Sequence, residues 1–588
     1  NHNFAEEPLR YLVGRVKILA EIITYLKSDE RKLLVIAGEG GSGKSALMAK
    51  AVEKAQAAQP DAALVYRFIG ATPRSSDGRS LLNSLCREIS RIYDASEEDI
   101  PLDFRDLVPE FTQRLSLAKP DQPLLVFLDS LDQLSEAHGA RQLSWLPSEL
   151  PEGVSLIVST RMDEDVYDLV TRKGVTEAHL GGLGVKEGEL LLDQWLADNQ
   201  RGLQEDQKRE VLRKFTASGE NPLYLKLAFE EARLWTSYEE SQEELTKGVS
   251  GIIQNNMLDR LMDEGNHGRA MVSHALGYLA ASRYGLTEDE LVDLLSRDPE
   301  VYQWFFKQSY HLPSDLVHLA MGYLETHPEA LADFPADSYH DAERLARDWL
   351  AQDRTPPEPV THFLHEVLGR PDGPRLPIVL WSRLSFDLAP YLSFRMVDGS
   401  PLLSFYHREL EEVSKAAFLK VDQAEAYHRH LADYFEVQSD PAGDQTWTGG
   451  FIHGLSELPY HLTMAEERVR LFNLLVNFSF LENKAEEVGI TRRMGAFGLE
   501  EVTSEGVQDL LRDFDLALQK LYGVSGDEAG RAPLIRTVEE SNGKLWVYCP
   551  VCNHKSTINK KDLGQVIPCP QNGCEANLKL NPFMTKIN

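Results

Sequence analysis

Residues 38–45, Gly-Glu-Gly-Gly-Ser-Gly-Lys-Ser, constrain the fold of this chain more than any other stretch. They fit the phosphate-binding pattern G-x-x-x-x-G-K-[ST] in full. The apolar run 32–37 before them predicts a buried strand, and residues 46–52 after them predict a helix. Glycines let backbone N–H groups turn towards an anion without Cβ clashes, and a helix N-terminus favours negative charge. We therefore expect a nucleoside triphosphate to bind here. The alternative, a glycine-rich turn that matches by chance, does not account for strand, loop and helix together.

The loop residues have distinct expected roles. Lys44 should reach the β- and γ-phosphates, and the Ser45 hydroxyl should ligate Mg²⁺. The expected nucleotide-binding residues of the loop are Gly38, Gly41, Gly43, Lys44, Ser45 and Ala46.

Two later apolar runs end in residues suited to phosphate chemistry. Residues 123–129 predict a buried strand ending in Asp129, which is placed to bind the Mg²⁺ shell, as in a Walker B motif. Asp132 is a candidate for orienting or deprotonating an attacking water, and the alternative is a solvated acid in a turn. Residues 154–161 predict a further strand ending in Arg161. Arg161 is a candidate γ-phosphate sensor, and the alternative is an ion pair with an acid at the sheet edge.

Strands alternate with helices over the first third of the chain. A strand at 63–70, helices from about 79 to 92 and 104 to 117, and the strands above predict a doubly wound parallel α/β sheet. The helix before the phosphate loop follows Gly14 and Arg15. Such a helix often lies against the nucleotide base, and simple helix packing is an equal alternative.

Four of the five cysteines form a pattern with metal-ligand spacing near the end of the chain. Cys549-x2-Cys552 and Cys569-x4-Cys574 are two knuckles separated by 16 residues. Two such pairs predict a closed, structural Zn²⁺ site, because tetrahedral Cys₄ coordination leaves no position for water. A disulfide alternative needs an oxidising compartment, for which the sequence gives no support. The zinc ribbon is predicted either to bind a partner or to cap the preceding helical domain.

Composition shifts divide the chain into several expected domains. The predicted domains are an N-terminal linker and lead-in helix (1–30), a P-loop nucleotide-binding domain (31–180), a helical lid (181–265), a winged-helix domain with a helical insertion (266–430), a helical domain (431–525), a linker (526–543) and a zinc ribbon (544–588).

Charge and hydropathy limit the partners. The net charge of −31 opposes whole-surface binding to nucleic acid or to anionic lipid. No apolar run approaches the length of a membrane span, and no signal peptide is recognisable. We expect a cytoplasmic protein with no membrane partner.

Several stretches resemble the STAND class of signal-transduction ATPases, and in particular the NACHT-type domains of nephrocystin, of telomerase-associated proteins and of bacterial NLR-like antiviral sensors. The stretches that carry the resemblance occur in family order and are 38–45, 68–73, 128–134, 146–160, 221–223, 403–408 and 458–462.

The resemblance implies a switch that also hydrolyses ATP slowly with Mg²⁺. In this class ADP holds the nucleotide-binding, helical and winged-helix domains closed. A trigger and ATP exchange then drive homo-oligomerisation and activate an N-terminal effector. Pro222 would contact the adenine, and His407 would touch the β-phosphate in the closed state; without the resemblance, His407 reads as a core histidine.

Two departures from the family pattern are visible. Gln133 stands where many NACHT motifs have an acid, and a zinc ribbon replaces the usual repeat array. The expected function is nevertheless a nucleotide-gated antiviral sensor with an upstream effector absent from this chain. Its trigger would be a viral protein or a nucleic acid bound at the C-terminal region. The alternatives are a continuously cycling ATPase that remodels protein or nucleic acid, and a scaffold with a structural nucleotide.

Overall fold

The computed structural model describes residues 13–28, 32–70, 73–101, 103–135, 137–147, 149–161, 169, 171, 174–236, 244–309, 344, 375–494, 500–503, 506–522, 534–541, 544–549, 555–570 and 577–586. No helix in these ranges is both long enough and apolar enough to cross a membrane.

A five-stranded parallel sheet forms the nucleotide-binding region. Its strands are β1 (Leu33–Gly38), β2 (Ala63–Phe68), β3 (Leu124–Asp129), β4 (Val154–Thr160) and β5 (Val175–Leu180), in the order β2-β3-β4-β1-β5. All four strand pairings are parallel. Every residue of β1 and of β3 is buried, as a strand covered on both faces requires. The predicted parallel α/β P-loop fold is therefore confirmed. Strand β5 was not predicted from the sequence, because it lies at the sheet edge and is partly exposed.

Helices cover both faces of this sheet. On one face, α1 (Val16–Leu26) and α2 (Lys44–Ala58) pack over side chains such as Ile36 and Ile157. On the other, α3 (Gly78–Ile92) and α4 (Phe104–Leu115) pack over side chains such as Val35 and Val126. The alternation follows from the two-residue period of a strand. Because these strands are parallel, the carboxyl ends of β1, β3 and β4 lie at one common edge.

A helical region follows the sheet. It comprises α5 (Val185–Asp198), α6 (Glu205–Ala217), α7 (Pro222–Ala232) and α8 (249–262), which contains one π-helical turn at Ile253–Leu258.

The next region combines helices with one β-hairpin. Its elements are α9 (Arg269–Ala281), α10 (Glu288–Arg297), α11 (Pro299–Ser309), α12 (Ile378–Leu388), β6 (Leu392–Val397), β7 (Ser400–Phe405) and α13 (Arg408–Phe418). An antiparallel bridge joins Leu286, between α9 and α10, to Leu403 in β7. The predicted insertion lies almost entirely outside the described residues.

In the part of the chain that the structure describes, five further helices precede the C-terminal sheet. They are α14 (Val421–Ser439), α15 (Ile452–Met464), α16 (Arg468–Leu475), α17 (Phe478–Glu487) and α18 (Gly506–Tyr522). Two findings differ from the predicted domains: α14 crosses the boundary at 430, and the hairpin of β8 (Thr491–Met494) and β9 (Glu500–Thr503) lies within the region predicted as helical. One cluster of buried side chains runs from Leu183 to Leu521 and joins these regions into a continuous core.

The C-terminal sheet contains β10 (Leu534–Ser541), β11 (Lys544–Tyr548), β12 (Lys555–Ile558), β13 (Val566–Pro568) and β14 (Asn577–Lys586), in the order β12-β11-β10-β14-β13. Strand β10 occupies residues 534–541 of the predicted linker 526–543, so this part of the predicted linker belongs to the sheet instead. Its central position explains the difference, because β10 pairs with β11 on one side and β14 on the other.

Candidate nucleotide site

The phosphate loop turns at the carboxyl end of β1 and leads directly into α2. Gly41 and Gly43 have φ values of +74° and +91°, in the left-handed region that favours glycine. Lys44 is 8% exposed, and its Nζ donates to the carbonyl oxygens of Gly38 at 2.9 Å and Glu39 at 2.8 Å. Burial lowers the pKa of Lys44, although Asp132 and Asp129 oppose the shift. The buried Ser42 Oγ has no hydrogen-bond partner among the described residues. A buried cation and an unsatisfied hydroxyl in one glycine-rich loop fit a bound phosphate chain.

Asp129 lies beside the loop as the strand pattern predicted. It is 2% exposed, and it accepts hydrogen bonds from the hydroxyls of Ser159, Ser130 and Ser45. Burial raises the pKa of Asp129, while these hydroxyls and Lys44 oppose the rise. Ser45 and Asp129 thus place two oxygen atoms side by side, and oxygen atoms are the ligands that Mg²⁺ prefers.

Asp132 and Arg161 meet at the same edge of the sheet. The Arg161 backbone N–H donates to Asp132 Oδ1 at 3.3 Å. The Arg161 guanidinium points instead to α13, where it pairs with Glu409 Oε1 at 3.0 Å and Glu412 Oε1 at 3.3 Å. The acid and the cation expected from the sequence are therefore together, and both contact other parts of the chain.

The start of α7 rests on the phosphate loop. Asn221 caps α7 by accepting from the backbone N–H groups of Leu223 and Tyr224, and its Nδ2 donates to the Gly40 carbonyl at 2.7 Å. The Leu223 N–H donates to the Gly41 carbonyl at 3.2 Å. Pro222 occupies the first helical position, where its missing N–H costs nothing. The candidate adenine contact therefore lies next to the loop.

Gly14 and Arg15 lie where the phosphate loop meets the segment that follows β5. Arg15 donates to the carbonyl oxygens of Ser42 at 2.8 Å, Gly181 at 3.0 Å and Gly182 at 3.1 Å. Burial lowers the pKa of Arg15, with Glu187 opposing the shift. Gly14 has φ +74° and packs against the Glu187 side chain. In this structure Arg15 holds the backbone of the phosphate loop in place.

His407 precedes α13 and caps it. Its Nδ1 accepts from the Glu409 backbone N–H at 3.3 Å. Burial, together with the charges of Lys44, Arg161 and Arg408, lowers the pKa of His407 to about 4. The ring is therefore neutral at pH 7, and since Nδ1 accepts a hydrogen bond, Nε2 carries the proton and is a donor.

Three contact residues were missed by the sequence analysis. Arg408 Nη1 donates to Asp132 Oδ2 at 3.0 Å and to the Asp132 carbonyl at 2.9 Å. Glu409 lies between Arg161 and the loop, and Asn221 holds Gly40. Arg408 and Asn221 lie inside stretches that carry the family resemblance. The sequence therefore indicated these positions but not the contacts that the two side chains make.

The second candidate site concerns the cysteines. Cys549 and Cys569 are both buried in the small core of the C-terminal sheet, with Val538, Val547, Leu578 and Leu580. Cys552 and Cys574 lie outside the described residues. No group of three or more potential metal ligands occurs among the residues that the structure describes.

Comparison with known proteins agrees with this site. Residues 11–159 match the AAA ATPase domain. The chain is 30% identical over 553 residues to human NACHT domain- and WD repeat-containing protein 1, an alignment that covers 88% of this chain and 30% of that protein. It is 28% identical over 296 residues to rat telomerase protein component 1, covering 48% of this chain and 11% of that protein. A solved STAND protein with a tetratricopeptide repeat sensor from Pyrococcus horikoshii is 15% identical, with a TM-score of 0.31 and coverage of 87% of this chain and 71% of that chain.

The parallel sheet and the phosphate loop define a P-loop NTPase domain, and this part of the chain matches the AAA ATPase domain. The human NACHT relative, aligned over most of this chain, then confirms the more specific resemblance to NACHT-type NTPases of the STAND class. The chain spans about a third or less of the length of the curated relatives reported above.

Proposed function

We propose that the chain is a nucleotide-gated switch in which bound ADP keeps the nucleotide-binding region and α13 together. One observation carries the proposal: α13 reaches into the nucleotide site. Arg408 binds Asp132, and Glu409 and Glu412 bind Arg161. Asp132 and Arg161, which have expected roles at the γ-phosphate, thus both bind α13. The identity of the bound nucleotide can therefore be coupled to the arrangement of the domains.

The region that carries α13 supports a winged-helix assignment. A bridge between Leu286 and Leu403 adds a third short strand to the hairpin of β6 and β7. The order α9, strand at Leu286, α10, α12, hairpin is that of a winged helix, with α11 and the 310–374 segment inserted between α10 and α12. His407 at its edge would then donate Nε2–H to the β-phosphate of ADP.

Slow, Mg²⁺-dependent hydrolysis is part of the proposal. Ser45 and Asp129 would hold Mg²⁺, which neutralises phosphate charge when bound. Lys44 would bind the β- and γ-phosphates, and Asp132 would orient water once Arg408 has left it. Gln133 offers no second carboxylate beside Asp132, which is consistent with a low rate.

The remaining parts of the proposal concern partners. On release of α13, copies of the chain would oligomerise and activate an effector domain upstream of this segment. A trigger, such as a viral protein or nucleic acid, would bind towards the C-terminus, in an NLR-like antiviral role within the cytoplasm. The family resemblance supports this part.

We also propose that Cys549, Cys552, Cys569 and Cys574 hold a structural Zn²⁺. The strand register supports it. Cys549 directly follows β11 and Cys569 directly follows β13. Since β11 is antiparallel to β10, whereas β14 is parallel to β10 and antiparallel to β13, both strands end at the edge of the sheet where β10 begins. Two knuckles at one edge are the arrangement that a Cys₄ site needs.

The first experiment on the switch is to identify the nucleotide in the purified protein by denaturation and chromatography. We expect ADP close to one per chain, because the closed form buries the site under α7 and α13. Lys44→Ala should carry none, since Lys44 supplies the buried positive charge. Lys50→Ala is the matched control, because Lys50 lies on the same helix and pairs with Glu53 on its surface.

An empty wild-type site combined with rapid ATP turnover would overturn the switch and favour the cycling ATPase. Retention of ADP by Lys44→Ala at the wild-type level would overturn the assignment of the phosphate site.

A further inference from the structure

The carboxylate of Glu409 lies directly on the phosphate loop. A Cβ at Gly40 would clash with Glu409 Oε1 and would lie 3.3 Å from Arg161 Nη2, so the carboxylate contacts the loop at its third residue and the guanidinium lies beside it. Glu409 belongs to the first turn of α13, and its side chain is 12% exposed. This placement brings an anion from a distant element into the phosphate cradle.

Positive groups surround this carboxylate. Arg161 Nη2 lies 3.0 Å from Glu409 Oε1. Burial raises the pKa of Glu409, while the charges of Arg161, Arg408 and Lys44 lower it and Glu412 adds to the rise. The Glu409 carboxylate therefore lies in the electrostatic field of the same cations that a terminal phosphate requires.

A phosphate loop and its lysine cradle the β- and γ-phosphates of a triphosphate. The last phosphate of ADP would lie deeper in the loop, away from Arg161 and Gly40. The γ-phosphate of a triphosphate would lie towards both. Its γ-phosphate would meet Glu409 as a like charge in a partly buried site, where repulsion is only weakly screened.

We propose that Glu409 makes the closed arrangement selective for a nucleoside diphosphate by standing where the γ-phosphate of a triphosphate would bind. The inference rests on the switch proposed above and names the residue that discriminates between its two nucleotides.

The neighbouring contacts extend the effect from binding to chemistry. While Glu409 and Glu412 hold Arg161, Arg408 holds Asp132. In the closed form the γ-phosphate sensor and the candidate water-orienting acid are both neutralised by α13. A triphosphate that displaces Glu409 frees Arg161 and removes one anchor of α13, so triphosphate binding and opening become one event.

The test is a competition titration on the full chain with Mg²⁺, in which ADP or ATPγS displaces a fluorescent ADP. In Glu409→Gln the ratio of the ATPγS Kd to the ADP Kd should fall about tenfold, mainly through tighter ATPγS binding, as for a typical coupling between two states. The matched control is Glu411→Gln, because Glu411 has the same charge on the same helix but pairs with Lys415 outside the site. Its ratio should stay at the wild-type value.

Glu412→Gln separates charge at the loop from general loosening of α13. Glu412 pairs with Arg161 and Arg408. Because Glu412 also pairs with Arg161, its loss should lower the ratio, but clearly less than the loss of Glu409, whose carboxylate lies against Gly40.

The inference is overturned if the Glu409→Gln ratio equals that of the wild type, or if Glu412→Gln lowers the ratio as much as Glu409→Gln does. A wild-type chain that binds neither nucleotide overturns the proposed function instead, so the two failures are distinguishable.

Discussion

His453 is enclosed by two carboxylates that come from different helices. Its Nδ1 lies 2.7 Å from Glu290 Oε1 of α10, and its Nε2 lies 3.4 Å from Glu457 Oε1 within α15. Glu457 also accepts from the backbone N–H groups of Arg283 and Tyr284, and from His461 Nε2 at 3.0 Å. Burial disfavours the imidazolium, but the hydrogen bonds and charges of Glu290 and Glu457 outweigh it and raise the pKa of His453 to about 10.

This raised pKa predicts a pH-dependent stability. In the unfolded chain the pKa is about 6.5, so the folded protein holds one more proton between roughly pH 6.5 and 10. The stabilisation by His453 is fully present below that window and is lost as the pH rises through it, by at most about 1.4 kcal/mol for each unit of pH.

The measurement is the free energy of unfolding against pH in the wild type and in His453→Gln. The slope between pH 7 and 9 should be shallower in the variant. His179→Gln, a substitution of an exposed histidine in β5, should keep the wild-type slope. Parallel curves for wild type and His453→Gln would contradict the prediction.

Residues of the site differ in how far the sequence revealed them. Lys44, Ser45 and Asp129 were predictable because a local pattern of strand, loop and helix fixes their surroundings. Asn221 meets Gly40 across 181 positions of sequence, and Arg408 meets Asp132 across 276. No periodicity or spacing encodes such a pairing, because it depends on how separately folded regions dock. Glu409 was missed for the same reason: in sequence it is one of several acids on a helix surface.

At the scale of elements, the buried strands could be predicted from the sequence, whereas the strands with polar residues could not. Strands β1 and β3 were predicted because continuous apolar runs leave little alternative. Strand β5 carries Glu177 and His179 at exposed edge positions, and β10 carries Glu539 and Glu540. Their polar residues resemble loop composition, and only the hydrogen bonds to neighbouring strands define them as β-structure.

The cap of α7 gives a prediction at this scale. Asn221→Ala removes two hydrogen bonds to the start of the helix and one to the Gly40 carbonyl. Loss of the cap should destabilise the fold by about 1 kcal/mol. Loss of the Gly40 contact should in addition weaken ADP binding, because the loop is no longer held by α7.

Asn477→Ala is the matched control for this prediction. Asn477 caps α17 by accepting from the Phe480 N–H, and its Nδ2 donates to the Gln445 carbonyl at 3.2 Å. It repeats the geometry of Asn221 in another region. Both variants should lose similar stability in denaturant titrations, and only Asn221→Ala should lose affinity for ADP. Equal affinities would show that the contact with Gly40 has no role in the site.

At the scale of the whole molecule, the described residues contain cores of very different size. The cluster from Leu183 to Leu521 joins three regions, and two further clusters flank the parallel sheet. The C-terminal sheet has its own small cluster, in which two of the buried side chains are Cys549 and Cys569. A core of this size supplies little stability, so a domain built on it depends on cross-links or on a metal.

Removal of zinc should therefore unfold one part of the molecule and leave the rest intact. Metal analysis of the purified chain should find one zinc, and a strong chelator should release it. Hydrogen exchange should then accelerate in residues 534–586, because apolar burial alone does not hold that sheet, while the slow exchange of β1 and β3 persists. Cys569→Ser should lose the zinc, whereas Cys86→Ala, which alters a buried cysteine of α3, should retain it. If the chelator leaves exchange in the C-terminal sheet unchanged, the small core is sufficient by itself and the four cysteines need another explanation.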